Sequence, residues 1–160
     1  ARHEAQVLAV DINPAALRLT AVNAALAEVS NLSVEASDVL QGVDGSFDLI
    51  VANPPYMADP NERAYRHGGG ALGAQLSLRI VEQALSRLAP GGSLVLYTGV
   101  AMVDGRDPFF DTVVPRLDST RFGWTYRELD PDVFGEELLN PGYQRVDRIA
   151  VVALTVTRIG

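Results

Sequence analysis

The residues of this chain best suited to chemistry are Asn53-Pro54-Pro55-Tyr56, which directly follow the apolar run Phe47 to Ala52. Two consecutive prolines fix the backbone angle and donate nothing to a sheet ladder, so the carbonyls before them are free. Asn53 offers a side-chain oxygen and Pro54 a main-chain oxygen. Two such acceptors brought to one point would hold a planar N–H₂ group and turn its lone pair toward an electrophile. Tyr56 would supply a flat wall beside it. The bland alternative is a rigid turn after a strand, with Tyr56 as ordinary core.

Two acids occupy a second kind of position. Asp11 ends the run Val7 to Val10, and Asp38 follows Leu32, Val34 and Ala36, which alternate as a strand. At the carboxyl end of a strand in an open α/β sheet, a carboxylate can accept from the ribose hydroxyls of a nucleotide-like cofactor. Asp38 could likewise accept from an adenine amino group. Each is equally readable as a turn-forming Asp. The pair is more specific than either member, because neighbouring parallel strands place their carboxyl ends side by side.

The elements that must position these residues alternate along the chain, as expected of an α/β sheet protein. Asn13-Pro14 reads as a cap and first residue of a helix running to about Glu28, with Leu19, Val22 and Leu26 as its buried stripe. Phe47 to Ala52 has the near-continuous apolar character of a strand covered on both faces. Met57 to Gly73 reads as a polar loop. Leu78, Val81, Leu85 and Leu88 mark a helix stopped by Pro90-Gly91-Gly92, and Ser93 to Thr98 a strand. Phe110, Val113, Val114 and Leu117 share one helix face. Phe122, Trp124 and Tyr126 alternate as a strand, Ile149 to Val156 form the last strand, and 130 to 146 is a long connection.

Composition excludes other classes. The 160 residues carry 13 Lys+Arg against 20 Asp+Glu, a formal net charge of −7, with no Cys. A disulfide scaffold and a thiolate metal site are ruled out, and an acidic chain is poorly suited to gripping phosphate backbones unaided. No apolar run reaches the ~18 residues of a membrane span, and Ala1-Arg2-His3-Glu4 lacks the layout of a signal peptide. A cytoplasmic protein is expected, with no membrane partner. Arg63, Arg66 and His67 could touch an anionic substrate, although a solvated loop is the plainer reading. His67 has no carboxylate cluster at ligand spacing, so no metal is expected. Phe122, Trp124 and Tyr126 could stack on bases, but alternate aromatics on a strand usually pack.

Asp11, Asp38 and Asn53-Pro54-Pro55-Tyr56, in this order and spacing, resemble the class I S-adenosylmethionine-dependent methyltransferases that modify nitrogen. The likeness is to the "methyltransferase small" group, which includes release-factor glutamine methyltransferases and several RNA methyltransferases. Gly69-Gly70-Ala71-Leu72-Gly73 before a helix, then Leu88-Ala89-Pro90-Gly91-Gly92 and a strand ending at Gly99, is similar to the glutamine methyltransferase branch. The resemblance implies a Rossmann-like, doubly wound, mostly parallel sheet with an antiparallel last strand, and S-adenosyl-L-methionine as cofactor. Asp11 with Ile12, Asp38 with Val39, and Asn53 would bind it. Asn53, Pro54, Pro55 and Tyr56 would form the catalytic acceptor slot.

The glycine-rich loop of that fold lies before the ribose-binding acid, yet only ten residues precede Asp11 and the first Gly is Gly42. The expectation is therefore one methyltransferase domain over 1–160, lacking its first strand and glycine loop. The resemblance implies a protein glutamine amide as acceptor, on a translation factor or ribosomal protein, and the net charge leans toward a protein over a nucleic acid. The amino group of a nucleic-acid base fits the same slot, so RNA or DNA is the alternative. A nicotinamide-dependent dehydrogenase shares the acidic strand end but leaves Asn53 to Tyr56 without a role. A non-catalytic interaction module of the same fold is the remaining alternative.

Overall fold

The computed structural model describes residues 5–63 and 65–160; Ala1 to Glu4, with the His3 and chain-start readings, and Ala64 lie outside them. Two compact units are present, 1–44 and 45–160.

In the first unit, β1 (Val7–Asp11) and β2 (Leu32–Ala36) pair in parallel through α1 (Pro14–Leu26), with Val7 opposite Leu32 and Asp11 opposite Ala36. The helix starts where the sequence requires it to. The Asn13 side chain accepts from the Ala15 N–H at 2.9 Å, and Pro14 loses nothing at the first position, where its N–H would have no partner. The buried stripe is not the expected one. Leu19, Val22 and Leu26 are exposed, and the more covered side carries Ala16, Leu17, Thr20 and Ala24. At about 3.6 residues per turn, Leu19 lies across the helix from Leu17, so one choice of face excludes the other.

In the second unit, β3 (Phe47–Ala52), β4 (Leu88–Met102), β5 (Phe122–Asp130) and β6 (Arg148–Arg158) form a sheet of order β3-β4-β6-β5. β3 and β4 run parallel, and the last strand β6 inserts antiparallel between β4 and β5. β3 matches its apolar run, whereas β4, β5 and β6 are longer than theirs. The helix before β4 ends at Arg87, and Pro90-Gly91-Gly92 forms an irregularity inside the strand, with Phe47 opposite Leu88 but Leu49 opposite Ser93. β3 is covered on one face only: Leu49 and Val51 are exposed, and among the described residues β3 pairs with β4 alone. The apolar run thus overstated its burial.

The core of this unit lies on β4 and β6, where Leu94, Leu96, Val152, Leu154 and Val156 are fully buried. On it packs α2 (Gln75–Arg87) through Ile80, Val81 and Ala84. A buried hydroxyl pair, Ser77 Oγ to Thr98 Oγ1 at 2.8 Å, joins α2 to β4. The short helix α3 (Pro108–Val113) is capped by the Asp107 carboxylate on the Phe110 N–H, and that carboxylate also accepts from the Tyr126 hydroxyl at 2.5 Å. Phe110 meets Trp124 and Tyr126 edge-on at 6.1 and 5.0 Å, so two of the three aromatics of β5 are packing rather than a stacking platform. No helix among the described residues is long and apolar enough to cross a membrane.

Candidate functional site

Asn53 leaves β3 on its exposed side, and its side chain makes no hydrogen bond among the described residues. Pro54 is buried, yet its carbonyl oxygen is likewise without a partner among them. Both oxygens therefore remain available to a ligand. The following backbone is clamped from outside. The Met57 N–H donates to the Arg66 carbonyl at 2.9 Å, the Gly68 N–H to the Met57 carbonyl at 3.0 Å, and the Leu76 N–H to the Gly68 carbonyl at 2.7 Å. Gly73, at φ +76°, lies so close that a Cβ there would come within 2.2 Å of the Tyr56 carbonyl oxygen. The stretch expected to be a polar loop is thus a tight brace around Asn53 to Tyr56.

Tyr56 lies against β4 because Gly99 has no side chain: a Cβ at Gly99 would stand 2.2 Å from Tyr56 Cδ2 and 2.4 Å from Cε2. Burial, with Tyr97 nearby, raises the Tyr56 hydroxyl above its usual range, so it stays protonated at neutral pH. Gly99→Ala is expected to displace the ring and cost about 1–3 kcal/mol of stability by overpacking, seen as a lower melting temperature. Gly123→Ala, where nothing lies within 4 Å, should change little. Equal effects at the two sites would refute the ring-seat role of Gly99.

Asn53, Pro54, Pro55 and Tyr56 line one cleft of about 460 Å³. Its other wall comes from the connection between β5 and β6, which carries short 3-10 turns at Gly135–Leu139 and Pro141–Tyr143. Phe134 lies 6.4 Å from the Tyr56 ring at 46°, and Glu136 and Glu137 line the cleft beside it. Arg66 crosses to this wall, its Nη2 lying 2.7 Å from Glu137 Oε1. Below, the buried Tyr143 accepts the Ala58 N–H at 2.7 Å and joins Met57, Ala58, Ala101 and Ile149 in a small core.

The loop cations are paired, Arg66 partly buried and Arg63 still exposed to solvent. Arg63 binds the buried Asp59 through its backbone N–H, Nε and Nη2, the last at 2.6 Å, and this pairing holds the Asp59 carboxyl well below the usual carboxylate range. A depressed carboxyl contributes stability above its unfolded pKa of about 3.9 and loses it as pH falls below that. Asp59→Asn should therefore melt lower than the parent at pH 7, with the gap closing on acidification below about pH 4. A gap independent of pH in thermal melts would refute the pairing. His67 Nδ1 is buried with no hydrogen-bond partner among the described residues. Among the described residues no group of three or more His, Asp or Glu could hold a metal ion.

In the first unit, Asp11 and Asp38 are brought to the same edge. The Ser37 N–H donates to the Asp11 carbonyl at 3.1 Å, tying the ends of β1 and β2 together. Asp11 Oδ1 accepts the Asn13 N–H at 2.7 Å, so the turn-forming reading of this residue holds for one oxygen. Oδ2 makes no bond among the described residues. Ile12 is 70% exposed beside it. Val39, next to Asp38, has φ +61°, a left-handed conformation that a β-branched residue adopts only when its surroundings impose it. Here the Ser37 hydroxyl donates to the Gln41 carbonyl, and the Gln41 N–H to that of Asp38.

Residues 1–102 match the methyltransferase small domain. The chain belongs to that family. The match sets aside the dehydrogenase reading of the acidic strand end. A release factor glutamine methyltransferase of Deinococcus radiodurans is 35% identical over 147 residues, covering 84% of this chain and 48% of that protein. A ribosomal protein uL3 glutamine methyltransferase of Xanthomonas campestris is 36% identical over 101 residues, covering 56% of this chain and 33% of that protein. The chain thus spans less than half the length of either relative. A crystal structure of a methyltransferase from Pyrococcus furiosus superposes with a TM-score of 0.62 at 18% identity, over 97% of this chain and 64% of that one. The fold is the Rossmann-like methyltransferase fold.

Sequence reasoning missed the second wall of this family member's cleft. Residues 130 to 146 read as a connection, yet they supply Phe134, Glu136 and Glu137. The signal available was composition: Phe134 to Leu139 joins an aromatic, two acids and two leucines, more than a spacer needs.

Proposed function

We propose that this chain carries out S-adenosylmethionine-dependent methyl transfer to a planar nitrogen, and that the acceptor is a protein glutamine side-chain amide. The observation that carries the choice of acceptor is the charge of the cleft. Among the described residues its one lining cation, Arg66, is held by Glu137, and Glu136 adds a further negative charge. A neutral amide can enter such a cleft, whereas a phosphate-bearing nucleotide finds no free cation in it among the described residues. The relatives named for glutamine methylation support the same reading, and a release factor or ribosomal protein is the acceptor to try first.

The donor set fits the cofactor. Two carboxylates at adjacent parallel strand ends, one with an oxygen to spare, suit ribose hydroxyls and an adenine amine. Asp11 with Ile12 and Asp38 with Val39 would hold S-adenosylmethionine, which when bound supplies an electrophilic methyl group on sulfonium. Asn53 Oδ1 and the Pro54 carbonyl accept the two N–H bonds of the acceptor amide. This orients its nitrogen and raises the electron density that amide resonance withdraws. Pro55 and the protonated Tyr56 shape the slot and exclude water, and no strong base is required.

Incubation of the full-length protein with radiolabelled methyl donor and purified release factor, ribosomal proteins or RNA tests this reading. Label is expected in protein, on a glutamine located by mass spectrometry. Label confined to RNA would overturn the protein acceptor.

A further inference from the structure

Residues 131–147 do more than join two strands. The Val133 N–H donates to the Ile149 carbonyl at 2.8 Å, Glu137 holds Arg66 at 2.7 Å and also accepts from Asn140 Nδ2 at 2.8 Å, and Tyr143 holds Ala58. Two of these ties land on the stretch just after Tyr56. The segment is therefore fastened to the same brace that fixes the Asn53 and Pro54 oxygens. Phe134 lies between the first tie and the second, so its ring is set by both.

The backbone at Phe134 adds a second, independent observation. Its φ is +55°, and its side chain remains 47% exposed. A bulky residue in the left-handed region costs about 1–3 kcal/mol, and such strain persists where the surroundings over-determine it, commonly at ligand clamps. A half-exposed ring regains little of this by burial. Asparagine or glycine would satisfy the backbone better, so stability alone does not account for a phenylalanine here. What the ring does gain is a place in the cleft that Asn53 and Pro54 also line, beside the Tyr56 ring.

We propose that Phe134 is a specificity-determining residue of the acceptor slot, packing on the aliphatic stem of the methyl-accepting side chain, and that the Arg66–Glu137 pair is the positioning device that holds this wall opposite Asn53 and Pro54. The proposal rests on the reading of the cleft as an amide-accepting slot. Asn53 and Pro54 take the polar end of the acceptor side chain, and Phe134 with Tyr56 covers the methylene groups behind it. The pairing of Arg66 with Glu137 fixes the width of the cleft and withdraws its cation from anionic competitors. Phe134 therefore governs acceptor capture, whereas Asn53 governs turnover.

The test measures steady-state methylation of purified release factor by the full-length protein, with cofactor affinity by calorimetry and melting temperature alongside. Phe134→Asn keeps the left-handed backbone and removes the ring. It is expected to raise the acceptor KM by about tenfold or more, the usual scale for a lost apolar contact in a pocket, with kcat within about threefold, cofactor affinity unchanged, and a melting temperature equal to or above the parent's as the strain is relieved. Arg66→Glu and Glu137→Arg should each raise KM, and the double exchange should restore it, which mere surface charge would not do. An acceptor KM unmoved by Phe134→Asn, while Asn53→Ala loses turnover, would overturn this proposal and leave the amide reading standing. Full turnover in Asn53→Ala would overturn the amide reading itself.

Discussion

Asn53→Ala is expected to lower the methyl-transfer rate by about 10² to 10³, the usual cost of one positioned polar group, with cofactor affinity little changed. The Asn53 side chain leaves β3 exposed, makes no hydrogen bond among the described residues and lines the cleft with Pro54 and Tyr56. Its removal breaks no hydrogen bond to the described residues, so the melting temperature is expected to stay at the parent value. The Pro54 carbonyl survives the substitution, and one acceptor oxygen still binds the amide without fixing its orientation. The loss thus belongs in kcat. Rate and melting temperature, measured together, separate the outcomes: a parent-like rate would refute the nitrogen-transfer mechanism, and a fall in both would mark Asn53 as a structural residue.

Asp11→Ala is expected to weaken S-adenosylmethionine binding tenfold to a hundredfold, since hydrogen bonds to a charged acceptor contribute roughly 1.5–3 kcal/mol. One complication is visible in the turn, where Asp11 Oδ1 already accepts the Asn13 N–H. Alanine removes this bond together with the oxygen offered to ribose. Asp11→Asn separates the two, because its amide oxygen can still close the turn while the negative charge is gone. If the carboxylate binds ribose, both variants lose affinity in calorimetry. Parent-like affinity in Asp11→Asn, with a loss only in Asp11→Ala, would leave Asp11 as a turn residue.

The features that the sequence alone determined act over a few residues. Asn13-Pro14 and Asp107-Pro108 start their helices because a cap and a proline satisfy the first turn locally. Prolines 54 and 55 end β3 because neither has an N–H to give the ladder, which follows from covalent structure alone. Asp11 and Asp38 were legible together because parallel strands bring successive carboxyl ends side by side.

Tertiary structure decided whatever depends on two segments meeting. The stripe Leu19, Val22, Leu26 and the run Phe47 to Ala52 are apolar enough to be buried, but burial requires a neighbour, and their pattern does not name one. Arg63 and Arg66 are cations in any reading of the chain; that Asp59 and Glu137 take them up depends on where the loop and the β5–β6 connection are fastened. Gly99 is an unremarked strand glycine until the Tyr56 ring is found on it. The acceptor slot was half legible for the same reason. Its first wall is a continuous stretch whose chemistry is local, and its second, at Phe134 and Glu137, is brought there by β5 and β6 pairing antiparallel and the chain between them folding back onto Ala58.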